Sequence, residues 1–292
     1  MSQTDLPFES AFRDWMRRRE MSWESFRHPL PPAGDDTTAH RLSPAGRPQR
    51  IVVALHGAGN DALFGWVGLF KRLLLERSEI VTFDLPGHGR LNRSSFTADA
   101  AVDCVASVLA DCSADSRRLP VHAVGVSLGG SVLLGALSRS GAALTRAAAI
   151  VAPLRIVLSW RTVLGEVGPR SLSTVWRERE HYGWTGLIPS FGSFKREIYP
   201  LRLPGPASSS AVGYVGSLNS SLDAMRLEHR AASVTTPLLL VYGSHDRVVP
   251  IEQGERLVRV LPDARLLRIE GGTHLSTPLD SETVDRVVAW LT

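Results

Sequence analysis

The chain has 292 residues, of which 43% are hydrophobic and 21% are charged, and its formal net charge is +4. This composition is typical of a globular protein and excludes a disordered or membrane-embedded chain. The excess of basic residues is small and dispersed, so it does not form the clustered basic surface that nucleic-acid binding requires. Every apolar run is cut by charge, Gly or Pro within about a dozen residues, so no transmembrane segment is predicted.

Residues 1–35 are predicted to form an amphipathic helical segment. Aromatic and apolar side chains recur there at roughly helical spacing, opposite "RRRE": Phe8, Phe12, Trp15, Met16, Trp23 and Phe26. The favoured interpretation packs this stripe on the body of the protein; the alternative is a membrane-surface or partner helix. The first twenty residues contain no apolar stretch of signal-peptide type, so a cytoplasmic location is expected.

After a Pro-rich connection with room for one or two short strands, strands and helices alternate. Six continuous apolar runs predict strands: "IVVALHG", "EIVTFDLPGHG", "VHAVGVS", "RAAAIVAP", "PLLLVYGSHD" and "ARLLRIEGG". Helices are predicted at "FGWVGLFKRLLLER", "TADAAVDCVASVLADCS", "GSVLLGALSRS", "IEQGERLVRVL" and "SETVDRVVAWLT". Continuous runs indicate strands that are buried on both faces. The predicted fold class is therefore α/β, with a mostly parallel sheet flanked by helices over residues 36–153 and 233–292.

Two further expectations concern the cysteines and the segment 154–232. Cys104 and Cys112 lie eight residues apart on one predicted helix, about 12 Å along its axis, which is too far for a disulfide. Residues 154–232 carry no clear strand but many aromatic and basic residues, and we predict a helical cap there because a structureless loop of that length is improbable. The Gly- and Ser-rich stretch 207–221 within it is a candidate hinge.

One motif in the predicted sheet indicates chemistry. Gly125, Ser127 and Gly129 satisfy the pattern G-x-S-x-G directly after a strand. A sharp strand-to-helix turn needs glycine on both sides of the serine, because side chains there would collide. Ser127 is therefore a candidate nucleophile; the alternative is a small residue that only fills a turn.

Together with two later loops, this motif resembles the α/β-hydrolase family from about Arg50 to the C-terminus. The family order is nucleophile, acid, histidine, each after a strand. The loop "SHDRVVP" follows one predicted strand and assigns the acid to Asp246; "GGTHLSTP" follows the next and assigns the histidine to His274. The resemblance implies an α/β-hydrolase fold and a serine hydrolase in which His274 takes the proton of Ser127 and Asp246 orients His274.

The loop "LHGAGND" is similar to the His-Gly loop that supplies half of the oxyanion hole in this family. The resemblance implies the backbone N–H groups of Ala58 and Leu128 as the two donors, with Gly59 as an alternative to Ala58. Two such donors contribute several kcal/mol of transition-state stabilisation.

Other titratable residues compete for these roles or have simpler ones. His245 competes with His274 for the general base, although it lies in the loop of the acid. Glu270 is an alternative acid only if Asp246 points away. His56 and His88 are interpreted as hydrogen-bonding residues that shape their loops.

The implied reaction is hydrolysis of a carboxylic ester, and the expected partner is a small ester or acyl substrate with an apolar group. Thioesterase, lactonase and carbon–carbon hydrolase activities use the same three residues and stay open, as does a non-catalytic ligand-binding relative. No metal or organic cofactor is implied, since the histidines and acids lack ligand spacing and no nucleotide-binding glycine loop occurs. The sequence does not predict the oligomeric state.

Overall fold

Eight strands form one sheet in the computed structural model, which describes residues 7–29, 36–63, 66–91, 96–140, 144–157 and 211–292. The strands are β1 Ser22–Pro29, β2 Asp36–Ser43, β3 Arg50–Leu55, β4 Ser78–Phe83, β5 Val121–Val126, β6 Arg146–Ile150, β7 Leu238–Gly243 and β8 Ala264–Ile269. Their order is β1-β2-β4-β3-β5-β6-β7-β8. Strands β1 and β2 run antiparallel to their neighbours, and the other six are parallel. The predicted mostly parallel α/β sheet is confirmed.

Eight α-helices occur in the described part of the chain. They are α1 Pro7–Arg17, α2 Val67–Leu75, α3 Ala98–Ser113, α4 Leu128–Ser140, α5 Ala211–Met225, α6 Leu227–Arg230, α7 Glu252–Val260 and α8 Ser281–Leu291. The six strands and five helices predicted from Arg50 onwards are all present, with ends that differ by a few residues. Among these helices none is long and apolar enough to cross a membrane.

Two apolar clusters cover the two faces of the sheet, as the continuous apolar runs predict. Along β3, Ile51 and Val53 face the cluster that contains residues of α3, α4 and α5, whereas Val52 faces the cluster built on α1, α2 and α8. Alternate residues of one strand are therefore buried on opposite sides. Cys104 and Cys112 lie buried on α3, and burial raises the pKa of each thiol to about 12.

The amino-terminal segment differs from its prediction. Helix α1 packs Phe12 and Met16 into the core, as expected, but it ends at Arg17. Glu20 has φ of 57°, and the N–H of Met21 donates to the carbonyl of Met16, which is a left-handed helix ending. The chain then forms β1, an edge strand paired with β2, so the second half of the predicted helical segment is strand.

The predicted hinge also differs, because residues 211–225 form helix α5. Leu218, Leu222 and Met225 recur at helical spacing and are buried against α3 and α4, which outweighs the low helix propensity of the surrounding Gly and Ser residues. This end of the predicted cap segment thus belongs to the helical layer beside the sheet. Residues 158–210, where most of the predicted cap and its aromatic residues lie, are outside the described part of the chain.

Candidate active site

Ser127 lies at the sharp turn between β5 and α4. Strand β5 ends at Val126 and α4 begins at Leu128, so the chain turns on a single residue, with φ of 49°. Such a positive φ is strained for a residue with a side chain. The N–H of Ser127 donates to the carbonyl of Ile150 at 2.8 Å, and its own carbonyl accepts from Gly130 at 2.9 Å. These bonds hold the turn between two strands and a helix.

The flanking glycines are required by close backbone contacts. A Cβ atom on Gly125 would lie 2.5 Å from the carbonyl oxygen of Gly129, and one on Gly129 would lie 2.4 Å from the carbonyl oxygens of Leu55 and His56. No ordinary Cβ contact is that short, and the atoms it would meet are backbone atoms that cannot swing aside. The sequence prediction that side chains would collide at these two positions is confirmed.

Three predicted site residues form one hydrogen-bonded row. Ser127 Oγ is 3.1 Å from His274 Nε2, and His274 Nδ1 is 2.9 Å from Asp246 Oδ2. The Asp246 side chain is fully buried, while that of His274 keeps 15% of its surface exposed. A carboxylate accepts the Nδ1 proton, which leaves the lone pair of Nε2 facing the hydroxyl of Ser127. The row thus brings together residues 147 positions apart in the chain.

Backbone donors from the loop after β7 fix Asp246. Its Oδ1 accepts the N–H of Val248 at 2.9 Å and the N–H of Val249 at 2.7 Å. With Oδ1 held by two donors, Oδ2 remains for the imidazole of His274. Sequence reasoning missed both donors, because a backbone N–H has no side-chain signature.

The loops after β7 and β8 are joined by hydrogen bonds between Ser244, His245 and the glycines before His274. The N–H of His245 donates to the carbonyl of Gly272 at 2.9 Å, and the N–H of Gly271 donates to Ser244 Oγ at 2.7 Å. A Cβ atom on Gly243 would lie 2.2 Å from the carbonyl of Gly272. The acid-bearing and histidine-bearing loops therefore form one packed unit.

The loop after β3, which carries Ala58, packs against the turn of Ser127. A Cβ atom on Gly57 would lie 3.3 Å from the Cβ of Ser127. Ala58 follows in a turn closed by the N–H of Asn60 on the carbonyl of Gly57, at 3.3 Å. Leu128 is the first residue of α4, where N–H groups lack acceptors within the helix. The two proposed oxyanion donors thus sit on the two segments that meet at Ser127.

His56 binds this loop to the loop after β4, in line with its predicted role in loop shape. Its Nε2 accepts the N–H of Leu85 at 3.0 Å, so its Nδ1 donates to the carbonyl of Gly57 at 2.8 Å. Burial lowers the pKa of His56, which keeps the ring neutral as this pairing requires. The ring of His88 lies near it in a tilted arrangement, at 5.0 Å between ring centroids, and forms a hydrogen bond with the carbonyl of Pro86.

Neither of the two competing residues takes part in the row of Ser127, His274 and Asp246. His245 is exposed, and its backbone, not its ring, makes the contact with the histidine loop. Glu270 is 73% exposed and pairs with Arg268 at 2.6 Å. Neither residue replaces His274 or Asp246 in the row.

The chain leaving β6 toward the predicted cap is held by two amide side chains. Gln253 of α7 accepts the N–H groups of Leu154 and Arg155 at 2.7 and 2.9 Å, and Asn219 of α5 accepts that of Ile156 at 2.7 Å. The N–H of the next residue, 157, donates to the carbonyl of Val248 in the acid loop. Sequence reasoning did not identify these amides. The first residues of the predicted cap segment, 154–157, are therefore held next to the loop that carries Asp246.

Comparison with known proteins agrees with this architecture. A profile described as the alpha/beta hydrolase family matches residues 52–290. The chain belongs to the alpha/beta hydrolase family. Within it, the chain is 26% identical over 253 residues to a pimeloyl-[acyl-carrier protein] methyl ester esterase of Methylococcus capsulatus, covering 81% of this chain and 92% of that protein.

Other proteins are similar over shorter stretches or in fold alone. Protein ABHD8 of Mus musculus is 40% identical over 57 residues, which is 20% of this chain but only 13% of that protein. A thermostable carboxyl esterase from Bacillus coagulans shares 14% identity with a TM-score of 0.65, covering 92% of this chain and 98% of that one. At this identity the likeness establishes the fold only. These comparisons establish the family and an alpha/beta hydrolase fold.

Proposed function

We propose that this chain is a serine hydrolase that cleaves a carboxylic ester through an acyl-enzyme on Ser127. The observation that carries the proposal is the row in which Asp246 binds His274 and His274 binds Ser127, at the turn between β5 and α4. A serine hydroxyl is a weak nucleophile until a neutral imidazole accepts its proton. The geometry of these two contacts, with Asp246 on one ring nitrogen and Ser127 on the other, supports that role for His274.

In the acylation step, Ser127 Oγ attacks the ester carbonyl while its proton moves to His274 Nε2. The imidazolium that forms is stabilised by the buried carboxylate of Asp246, which keeps its own charge. Collapse of the tetrahedral intermediate transfers that proton to the departing alkoxide, so an alcohol leaves and the acyl group stays on Oγ.

The negative charge of the tetrahedral intermediate needs donors. We assign the N–H groups of Leu128 and Ala58, because the first opens α4 and the second lies in the loop packed on Ser127. The partial positive charge of a helix N-terminus adds to the attraction. In deacylation, His274 takes a proton from water, which attacks the acyl carbonyl, and Ser127 is regenerated as the acid leaves.

We infer an ester, among related acyl bonds, from the names of the relatives. We infer the apolar part of the substrate from two exposed side chains. A relative that matches 81% of this chain is named as a pimeloyl-[acyl-carrier protein] methyl ester esterase. Leu275, beside His274, is 61% exposed, and Val157, bonded to the acid loop, is 47% exposed. Exposed apolar side chains on or beside the loops of Asp246 and His274 favour a substrate with an apolar acyl or alcohol part.

A burst-phase assay with short and medium p-nitrophenyl esters tests the mechanism. Intact-mass measurement should show one acyl adduct per chain on wild type. The control variant Ser138→Ala should show the same adduct, because the hydroxyl of Ser138 donates to the carbonyl of Gly135 within α4. The adduct should be absent from Ser127→Ala. An adduct that persists on Ser127→Ala, or a wild-type serine that does not react with a fluorophosphonate, would overturn the proposal.

A further inference from the structure

His274 is the second residue of a short turn whose two ends bind each other. The N–H of Thr273 donates to Ser276 Oγ at 2.9 Å, and the N–H of Ser276 donates to Thr273 Oγ1 at 3.2 Å. The two hydroxyls also bond each other, at 3.1 Å. This is the reciprocal pattern of a capping box, in which side chains at the first and fourth positions bind each other's backbone.

The same turn is closed on its far side by Thr277. Its N–H donates to the carbonyl of Thr273 at 3.0 Å, and its hydroxyl donates to the same carbonyl at 2.6 Å. Thr277 Oγ1 also packs against Gly243 and Gly272, where an added Cβ would approach it to 2.4 and 2.5 Å. The turn is thereby seated on the unit that holds Asp246.

All three hydroxyl residues of this turn are buried, whereas the two residues between Thr273 and Ser276 keep part of their surface exposed. Thr273, Ser276 and Thr277 are 5%, 2% and 0% exposed. Between them lie His274, which meets Ser127, and Leu275, which is 61% exposed. Buried hydroxyls are costly unless they are hydrogen-bonded, so this polar cluster needs its mutual bonds.

We propose that Thr273 and Ser276 are positioning residues that hold His274 between Ser127 and Asp246. The proposal rests on the proposed function, since it explains how the general base keeps its place. When the proton of Ser127 moves to Nε2, the bond between the serine and the ring changes character, while the bond to Asp246 and the backbone position of His274 continue to hold the ring. The reciprocal hydrogen bonds between Thr273 and Ser276, which are buried, fix the backbone of His274 in that position.

The test compares two conservative changes at one position. Thr273→Val removes the hydroxyl and keeps the shape, whereas Thr273→Ser keeps the hydroxyl. We expect Thr273→Val to lower kcat about tenfold with KM changed less than twofold, because a small displacement of the base slows the chemical step and not binding. Thr273→Ser should restore kcat to within about twofold of wild type.

Thr283→Val is the matched control. Thr283 is fully buried in α8, and its hydroxyl has no hydrogen-bond partner among the described residues. This variant should keep the wild-type kcat and KM. Equal losses of kcat in Thr273→Val and Thr283→Val, or no rescue by Thr273→Ser, would overturn the positioning role.

A second measurement separates this proposal from the proposed function. In the wild-type protein, the proton that His274 Nδ1 shares with Asp246 should give an imidazole N–H signal in a proton NMR spectrum. We expect this signal to broaden or vanish in Thr273→Val and in Ser276→Ala, while both keep the far-UV circular dichroism of wild type. An unchanged signal overturns the positioning role even if the wild type turns over esters, and a lost signal supports it even if the wild type does not.

Discussion

Asp246→Asn offers the sharpest test of how the buried acid works. An asparagine has one oxygen and one NH₂ group, so it cannot satisfy all the donors that Asp246 accepts. If its oxygen stays with the N–H groups of Val248 and Val249, the NH₂ faces His274 Nδ1. The imidazole must then accept at Nδ1 and carry its proton on Nε2, where it cannot receive the proton of Ser127.

The opposite orientation of the amide restores the active tautomer of His274, but it removes the acceptor of two backbone N–H groups. It leaves the two buried N–H donors, now 2.9 and 2.7 Å from Oδ1, facing an NH₂ group. Each buried donor without an acceptor costs about 1–3 kcal/mol. The total of about 2–6 kcal/mol lowers the active population by a factor of about 30 to 10⁴. Loss of the charge that stabilises the imidazolium adds to this, so we expect kcat to fall about 10³-fold.

Steady-state kinetics with p-nitrophenyl esters, together with ¹⁵N NMR of the imidazole to identify the tautomer, measure both parts of this reasoning. Asp280→Asn is the control, because Asp280 caps α8 through the N–H of Glu282 and asparagine caps helices equally well. The reasoning is refuted if Asp246→Asn stays within about tenfold of wild type, or if its Nε2 carries no proton.

Three further predictions concern the turn and the sheet. Gly125→Ala should lower kcat at least tenfold, measured with the same esters, because its Cβ would lie 2.5 Å from the carbonyl of Gly129; unchanged kinetics would contradict this contact. Burial, with the charges of nearby arginines, lowers the pKa of His122 to about 4. Because the unfolded chain takes up this proton near its ordinary pKa of about 6.5, stability falls as pH drops from 7 to 5. Urea titration should show a loss about 1 kcal/mol larger in wild type than in His122→Leu, after allowance for solvent screening, and equal losses would exclude this origin. Glu79→Gln should lower the free energy of unfolding by about 2 kcal/mol in urea, because the buried carboxylate binds Arg117 at 2.7 and 2.8 Å. An unchanged midpoint would show that this ion pair adds nothing.

The sequence predicts the central sheet because burial on both faces leaves continuous apolar runs. Strand β5, for example, reads "VHAVGV" and is buried almost throughout. The edge strand β1 has no such run, and the spacing of Trp23 and Phe26 imitates a helix. Its pairing with β2 depends on backbone hydrogen bonds, which side-chain periodicity does not reveal.

The sequence predicts those parts of the candidate site that are side chains in the family order of nucleophile, acid and histidine. Ser127, Asp246 and His274 follow three strands, and the structure brings them into hydrogen-bonding distance. What the sequence does not specify is the support of each group, such as the two amides on Asp246 or the cap around His274. The four-residue pattern of Thr273 and Ser276 is visible in the sequence, but hydroxyl residues at that spacing are common, and only the buried turn gives them meaning.

The position of β8 at the edge of the sheet bears on how this site fails under stress. In the described sheet β8 is bonded to β7 alone, and all its residues but Ile269 are half-exposed or exposed, whereas β7 is buried along its whole length. Strands of this kind open by local unfolding at a lower free energy than the centre of a sheet. Opening of β8 withdraws the loop that carries His274 while β5 and Ser127 stay folded. On mild heating, activity should therefore disappear before the global fold does, and on cooling it should return as fast as one strand can re-pair.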